Sequence, residues 1–150
     1  TSTYKDALEK ARFAMQRGEL KGVLWHQGES DTVNDARANS YRLKLHQLIA
    51  DLRTDLSDAA LPFIAGNLAE FYGTAKEHRH PDRVTRINKV RAVLRELPDQ
   101  VANTGFVESR DCASPDKHMV HFNRESYQLL GKRYADVYQK VSYRGDKSWN

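Results

Sequence analysis

One cysteine, Cys112, stands in a chain of 150 residues. No internal disulfide can form, and the sequence neither demands nor rules out an oxidising compartment. Long apolar runs are missing too. None approaches the roughly 18 residues that a membrane helix needs, which excludes a helical span. Charge of one sign is never gathered into a block: the net charge is +4 and the pI about 9.2, but Lys and Arg alternate with Asp and Glu throughout. That is the pattern of a solvated surface rather than of a nucleic-acid groove. Repeats, low-complexity tracts and linkers are also absent, which leaves a single domain over 1–150. Neither an initiator Met nor a signal segment precedes the helical pattern near Thr1, so the start reads as cut.

What is there alternates between two periods. Thr3 and Asp6 resemble a capping box, and Tyr4, Leu8, Ala11 and Met15 recur at helical spacing up to Gly18, predicting a helix over 3–17. Val23-Leu24-Trp25 predicts a short buried strand, followed by a polar loop to about Asp35. Tyr41, Leu45, Leu48, Ile49, Leu52 and Leu56 mark a second helix, and Leu61 to Leu68 the next apolar run. Val84, Ile87, Val90, Leu94 and Leu97 describe a third helix ending before Pro98, and Val101 to Val107 a third strand. Asn123 reads as the N-cap of a last helix whose apolar face is Tyr127, Leu130, Tyr134, Val137 and Val141.

The order α-β-α-β-α-β-α implies an α/β fold, a parallel sheet between layers of helices. Three strands make a small sheet of this kind. Standing alone, it would leave an apolar edge exposed, which predicts either missing strands or an edge shielded by a second copy of the chain or by polar edge residues.

Ligands of open α/β sheets bind beyond the carboxyl ends of the strands, which points to the loops after Trp25, Leu68 and Val107. The first is His26-Gln-Gly-Glu-Ser-Asp-Thr32. Hydrolysis by a serine needs a hydroxyl, a histidine, an acid to orient that histidine, and a donor to the oxyanion. His121 and Glu29 could be base and acid, and the Gln27 amide the donor. Ser30 lacks the glycine-flanked elbow of a strained nucleophile, so local hydrogen bonding in its turn is the better reading. Trp25, a large aromatic at a strand end, is read as core or pocket wall, and His26 and Gly28 as support for this loop or pocket wall. Pairs of histidines, His78 with His80 and His118 with His121, invite a zinc reading. Arg79 between the first pair opposes it, and the chain carries no H-E-x-x-H helix.

Trp25-His-Gln-Gly-Glu-Ser-Asp31, with a strand before it and a long helix after it, resembles a conserved block of the sialate O-acetylesterase and acetylxylan esterase-like family of SGNH hydrolases. His121-Phe-Asn, with Glu125-Ser-Tyr and Leu130-Gly-Lys-Arg-Tyr-Ala135 behind it, resembles that family's last block. The resemblance implies a three-layer α/β/α, flavodoxin-like sheet, here lacking its first strands. It implies O-acetyl ester hydrolysis on a carbohydrate through an acyl-serine, without metal or organic cofactor. His121 matches the general base and Gln27 the oxyanion donor. An Asp often stands three residues before the histidine, but here that position is His118; Glu29 is then the favoured acid, with Asp116 the alternative. The family's Gly-Gln-Ser-Asn-like block, which carries the nucleophile, is not present, so the chain alone should be inactive. The rival is a carbohydrate-binding or interaction module that keeps the fold without the nucleophile.

Overall fold

The computed structural model describes residues 3–75, 80–116 and 119–145, with side chains up to 143. Helix α1 (Thr3–Met15) leads into strand β1 (Val23–Trp25). A 3-10 turn (Glu29–Thr32) precedes α2 (Asp35–Asp55), and β2 (Phe63–Gly66), α3 (Pro81–Gln100), β3 (Thr104–Val107) and α4 (Arg124–Gly145) follow. The three strands are parallel in the order β1-β2-β3, with Val23 opposite Phe63 and Phe63 opposite Thr104. Each strand therefore adds on the same side of the last. Right-handed crossovers then put α2 and α3 together on one face, and α4 covers the other, which gives the expected three layers.

Alternation along the strands decides what each face offers. Val23, Trp25, Phe63 and Ala65 point to the α2 and α3 side, where they join Tyr41, Leu45, Ile49, Val90 and Leu94 in the main core. Toward α4 the sheet presents Gly22, Ile64, Gly66 and Gly105, which lets Tyr138, Tyr134 and Val137 approach the backbone closely. Arg53, at the end of α2, donates to the carbonyls of Leu61, Ala102 and Asn103 and so ties together the chain entering β2 and β3. α1 is held by a smaller cluster, Leu8 on Leu56 and Leu61.

Four local expectations shift. β1 is an edge strand rather than a buried one, with Leu24 62% exposed. α3 continues through Pro98 to Gln100, because Leu94 and Leu97 are wholly buried and a proline in the last turn removes a single backbone bond. The third strand begins at Thr104, since Asn103 takes a left-handed φ of 54° and Thr104 Oγ1 donates back to Val101. Tyr127 leaves the buried face of α4: it is 56% exposed, and its ring meets Phe122 instead of the sheet. The expected cap holds, with Asn123 Oδ1 accepting from the Ser126 N–H at 2.9 Å. Among the described residues no helix is long and apolar enough to cross a membrane.

Candidate active site

The loop after β1 is pinned from beneath. Tyr41 Oη donates to the Gln27 carbonyl at 2.8 Å and receives the Trp25 indole N–H at 3.4 Å. Burial pushes the Tyr41 hydroxyl well above the usual phenol range, so it remains a donor. Gly28 has φ +150°, and a Cβ there would sit 2.9 Å from Val90 Cγ1; only glycine lets the loop turn this close to α3. Thr32 Oγ1 and Tyr72 Oη both donate to the Glu29 carbonyl, and Arg86 Nε donates to the Thr32 carbonyl. Tyr72 and Arg86, whose polar ends sequence spacing leaves without a role, thus hold the loop in place.

The second half of the site comes from the chain entering α4. Asn123 N–H donates to the Ala113 carbonyl and Ala113 N–H to Ser126 Oγ, so the segment before the helix is stitched to its first turn. Phe122, 6% exposed, is the hub. Its ring lies edge-on to His26 (5.4 Å) and Phe71 (5.5 Å), with Tyr127 at 5.8 Å.

Together these elements form an open cleft of about 480 Å³ lined by His26, Glu29, Ser30, Val120, His121, Phe122 and Tyr127. It lies beyond the carboxyl end of β1, where the open-sheet rule places a ligand. The sequence candidates His121, Glu29 and His26 meet here although 92 residues separate Glu29 from His121. His121 is exposed and makes no hydrogen bond with Glu29. The Gln27 amide donates to Asp31 Oδ2 at 2.7 Å; an amide nitrogen carries two hydrogens, so one is left for another acceptor. Trp25 packs on Phe63 in the core rather than lining the cleft. Asp116 is exposed, its N–H on Ser114 Oγ, and does not line the cleft. His78, Arg79 and His118 lie outside the described residues. Among those described no group of three or more His, Cys, Asp or Glu gathers.

Sequence reading misses a polar cluster at the ends of β2 and β3. Asn67, 1% exposed, donates to Glu108 Oε1 at 2.7 Å, and Ser109 Oγ donates to the Leu68 carbonyl. Burial pushes the Glu108 pKa up, but the Asn67 and Ser109 hydrogen bonds and the charges of Arg95 and Arg110 outweigh it and hold the carboxyl below its usual range. No local pattern signals a bond across 41 residues.

Packing against Phe122 and Tyr134 desolvates the His26 ring, although part of the side chain is open to solvent, and lowers its pKa against the opposing charge of Glu29; burial lowers that of His46 as well, with Arg42 adding to it. A histidine whose folded pKa lies below its unfolded value binds its proton first in the unfolded chain. Stability should therefore be full above about pH 6.5 and fall as the pH drops below that value; the Glu108 contribution is lost only in the lower, carboxylate window. Urea midpoints at pH 7.5 and 5.5 check this. His26→Gln should lose less on acidification, and an equal loss in both proteins would refute the role given to His26.

Residues 1–140 match the family described as "SASA: Carbohydrate esterase, sialic acid-specific acetylesterase". A curated relative, "Probable carbohydrate esterase At4g34215" of Arabidopsis thaliana, is 37% identical over 121 residues, which cover 81% of this chain and 41% of the relative. The crystal structure of Arabidopsis thaliana AT4G34215 superposes with a TM-score of 0.77 at 28% identity over 91% of this chain and 51% of that one. The crystal structure of NanS, at 15% identity, shares the fold with a TM-score of 0.70 over 94% of this chain and 53% of its own. The chain thus spans about half the length of the relatives it matches.

Proposed function

Because the chain belongs to the sialic acid-specific acetylesterase family of carbohydrate esterases, we propose that it is the histidine-bearing part of an O-acetyl esterase acting on a carbohydrate. The observation that carries this reading is the convergence of His121 and Glu29 on one cleft beyond β1, with Gln27 on the loop between β1 and Glu29.

In this reading the serine stands on a further strand added to the free edge of β1. That edge has no strand partner among the described residues, and it leaves Leu24 62% exposed beside a groove formed with Gly131, Tyr134 and Tyr138. A parallel strand added there would end level with Trp25 and deliver its last residue to the cleft. His121 takes the serine proton as the oxygen attacks the acetyl carbonyl, and the remaining Gln27 amide hydrogen faces the oxyanion. Collapse breaks the ester bond, the sugar oxygen leaves with the proton from His121, and water then releases acetate from the acyl-serine by the same steps. Glu29 orients His121 and stabilises its imidazolium once a substrate closes the cleft; Asp116 is the alternative acid. The cycle uses no metal or organic cofactor.

The isolated chain is expected to hydrolyse 4-nitrophenyl acetate no faster than buffer. Robust turnover that disappears in Ser30→Ala would place the nucleophile inside these residues and refute the proposal. A chain whose upstream coding sequence supplies no strand with a serine, and which pairs with a second copy through the β1 edge, would favour the binding module instead.

A further inference from the structure

His26 and Tyr127 flank the same buried ring, Phe122, and both line the cleft. Neither has a part in the acyl-transfer steps above, yet each is held in a defined way. Tyr134 Oη donates its one proton to the Trp25 carbonyl at 2.8 Å, an oxygen that can only accept. His26 Nδ1 lies 3.0 Å from that same hydroxyl. With the phenol proton already committed, Nδ1 must be the donor of this bond. A neutral imidazole protonated at Nδ1 carries its lone pair at Nε2, and packing against Phe122 and Tyr134 desolvates the ring enough to favour its neutral form although part of the side chain stays open to solvent. No described residue makes a hydrogen bond with Nε2. The cleft is therefore walled by a histidine that can accept a hydrogen bond.

Tyr127 supplies the opposite character. It is a large ring, 56% exposed on the first turn of α4, and its edge-on contact with Phe122 fixes it at the rim. A pyranose has one kind of surface for each of these groups: an apolar C–H face for an aromatic ring and equatorial hydroxyls for a polar acceptor. At about 480 Å³ the cleft falls within the span of small-ligand sites, roughly 300–1,000 Å³.

We propose that His26 and Tyr127 form a sugar-ring subsite, in which Tyr127 stacks on the C–H face and His26 Nε2, its tautomer set by Tyr134, accepts a ring hydroxyl. The subsite fixes which oxygen of the sugar faces His121, and so determines specificity rather than catalysis. It rests on the esterase reading for the class of ligand.

The 150-residue chain itself provides the test, through binding instead of turnover. Long-range proton–nitrogen spectra of the ¹⁵N-labelled chain at pH 7.5 should show His26 unprotonated at Nε2. Titration with N-acetylneuraminic acid should move the His26 Nε2 and Tyr127 ring signals. Tyr127→Ala should weaken binding about tenfold, an energy of about 1.4 kcal/mol, while Tyr127→Phe, which keeps the ring face, should stay within about twofold of the unmodified chain. Tyr134→Phe should release His26 to a mixture of tautomers. Protonation at Nε2 in the free chain, unchanged affinity in Tyr127→Ala, or no binding by the unmodified chain would each overturn the subsite. Sugar binding that persists while the completed polypeptide fails to hydrolyse acetyl esters would instead overturn the esterase reading and leave the subsite standing.

Discussion

Replacing His121 with alanine, in a polypeptide completed through its upstream coding sequence, should lower kcat on an acetylated sugar by roughly a thousandfold. In the proposed cycle His121 moves a proton in both halves, from serine to leaving group and then from water to serine. Its loss leaves only positioning and the oxyanion donor. KM should change little, because the imidazole contributes to the transition state rather than to ground-state binding. The same assay separates the two candidate acids. Glu29→Gln keeps the shape of the loop but removes the charge that stabilises the imidazolium, so it should cost at least about a hundredfold, and Asp116→Asn, outside the cleft, should cost about twofold at most. A large loss in Asp116→Asn with little in Glu29→Gln would reverse the assignment. Full activity in His121→Ala would end the histidine-base reading altogether.

Gly66→Ala should destabilise the fold by about 3 kcal/mol, the upper part of the range for overpacking a filled core. A Cβ at this position would lie 2.1 Å from Tyr134 Oη and 2.5 Å from His26 Nδ1, far inside van der Waals contact. Gly66 ends the central strand, with β1 and β3 on either side and α4 above, so the backbone has little room to yield. Tyr134 would have to withdraw and abandon its bond to the Trp25 carbonyl, and His26 would lose its partner with it. Urea denaturation measures the loss. In the double variant with Tyr134→Phe the oxygen that clashes most closely is gone, so the two effects should not add. A cost below about 1 kcal/mol for Gly66→Ala would show that Tyr134 and His26 can yield and that the α4 face is loosely packed.

Much of the candidate site was legible in the sequence because its parts are local signals. An apolar triplet before His26-Gln-Gly-Glu marks a strand feeding a polar loop. Asn123 marks a helix start two residues after His121, and the cap bond is present. Helical periodicity was less reliable at the ends of helices. Leu130 and Tyr134 lie where the stripe puts them, but Tyr127, one turn earlier, meets Phe122 at the cleft. A period of 3.6 says which residues share a face; it does not say how far the neighbouring layer reaches along it.

The sequence by itself determined the alternation of helices and strands, hence the parallel sheet, and the chemical groups carried by two loops beyond it. Those follow from local propensity and from the spacing of apolar residues. Only the tertiary structure decided that His26 donates from Nδ1, because its partner Tyr134 lies 108 residues away and the proton count depends on the Trp25 carbonyl as well. It also decided that Glu29, His26, His121 and Tyr127 share one cleft and that Asp116 does not. Such convergence is set by how α4 packs across the glycines of the sheet, a long-range fit for which neither loop carries a local signal.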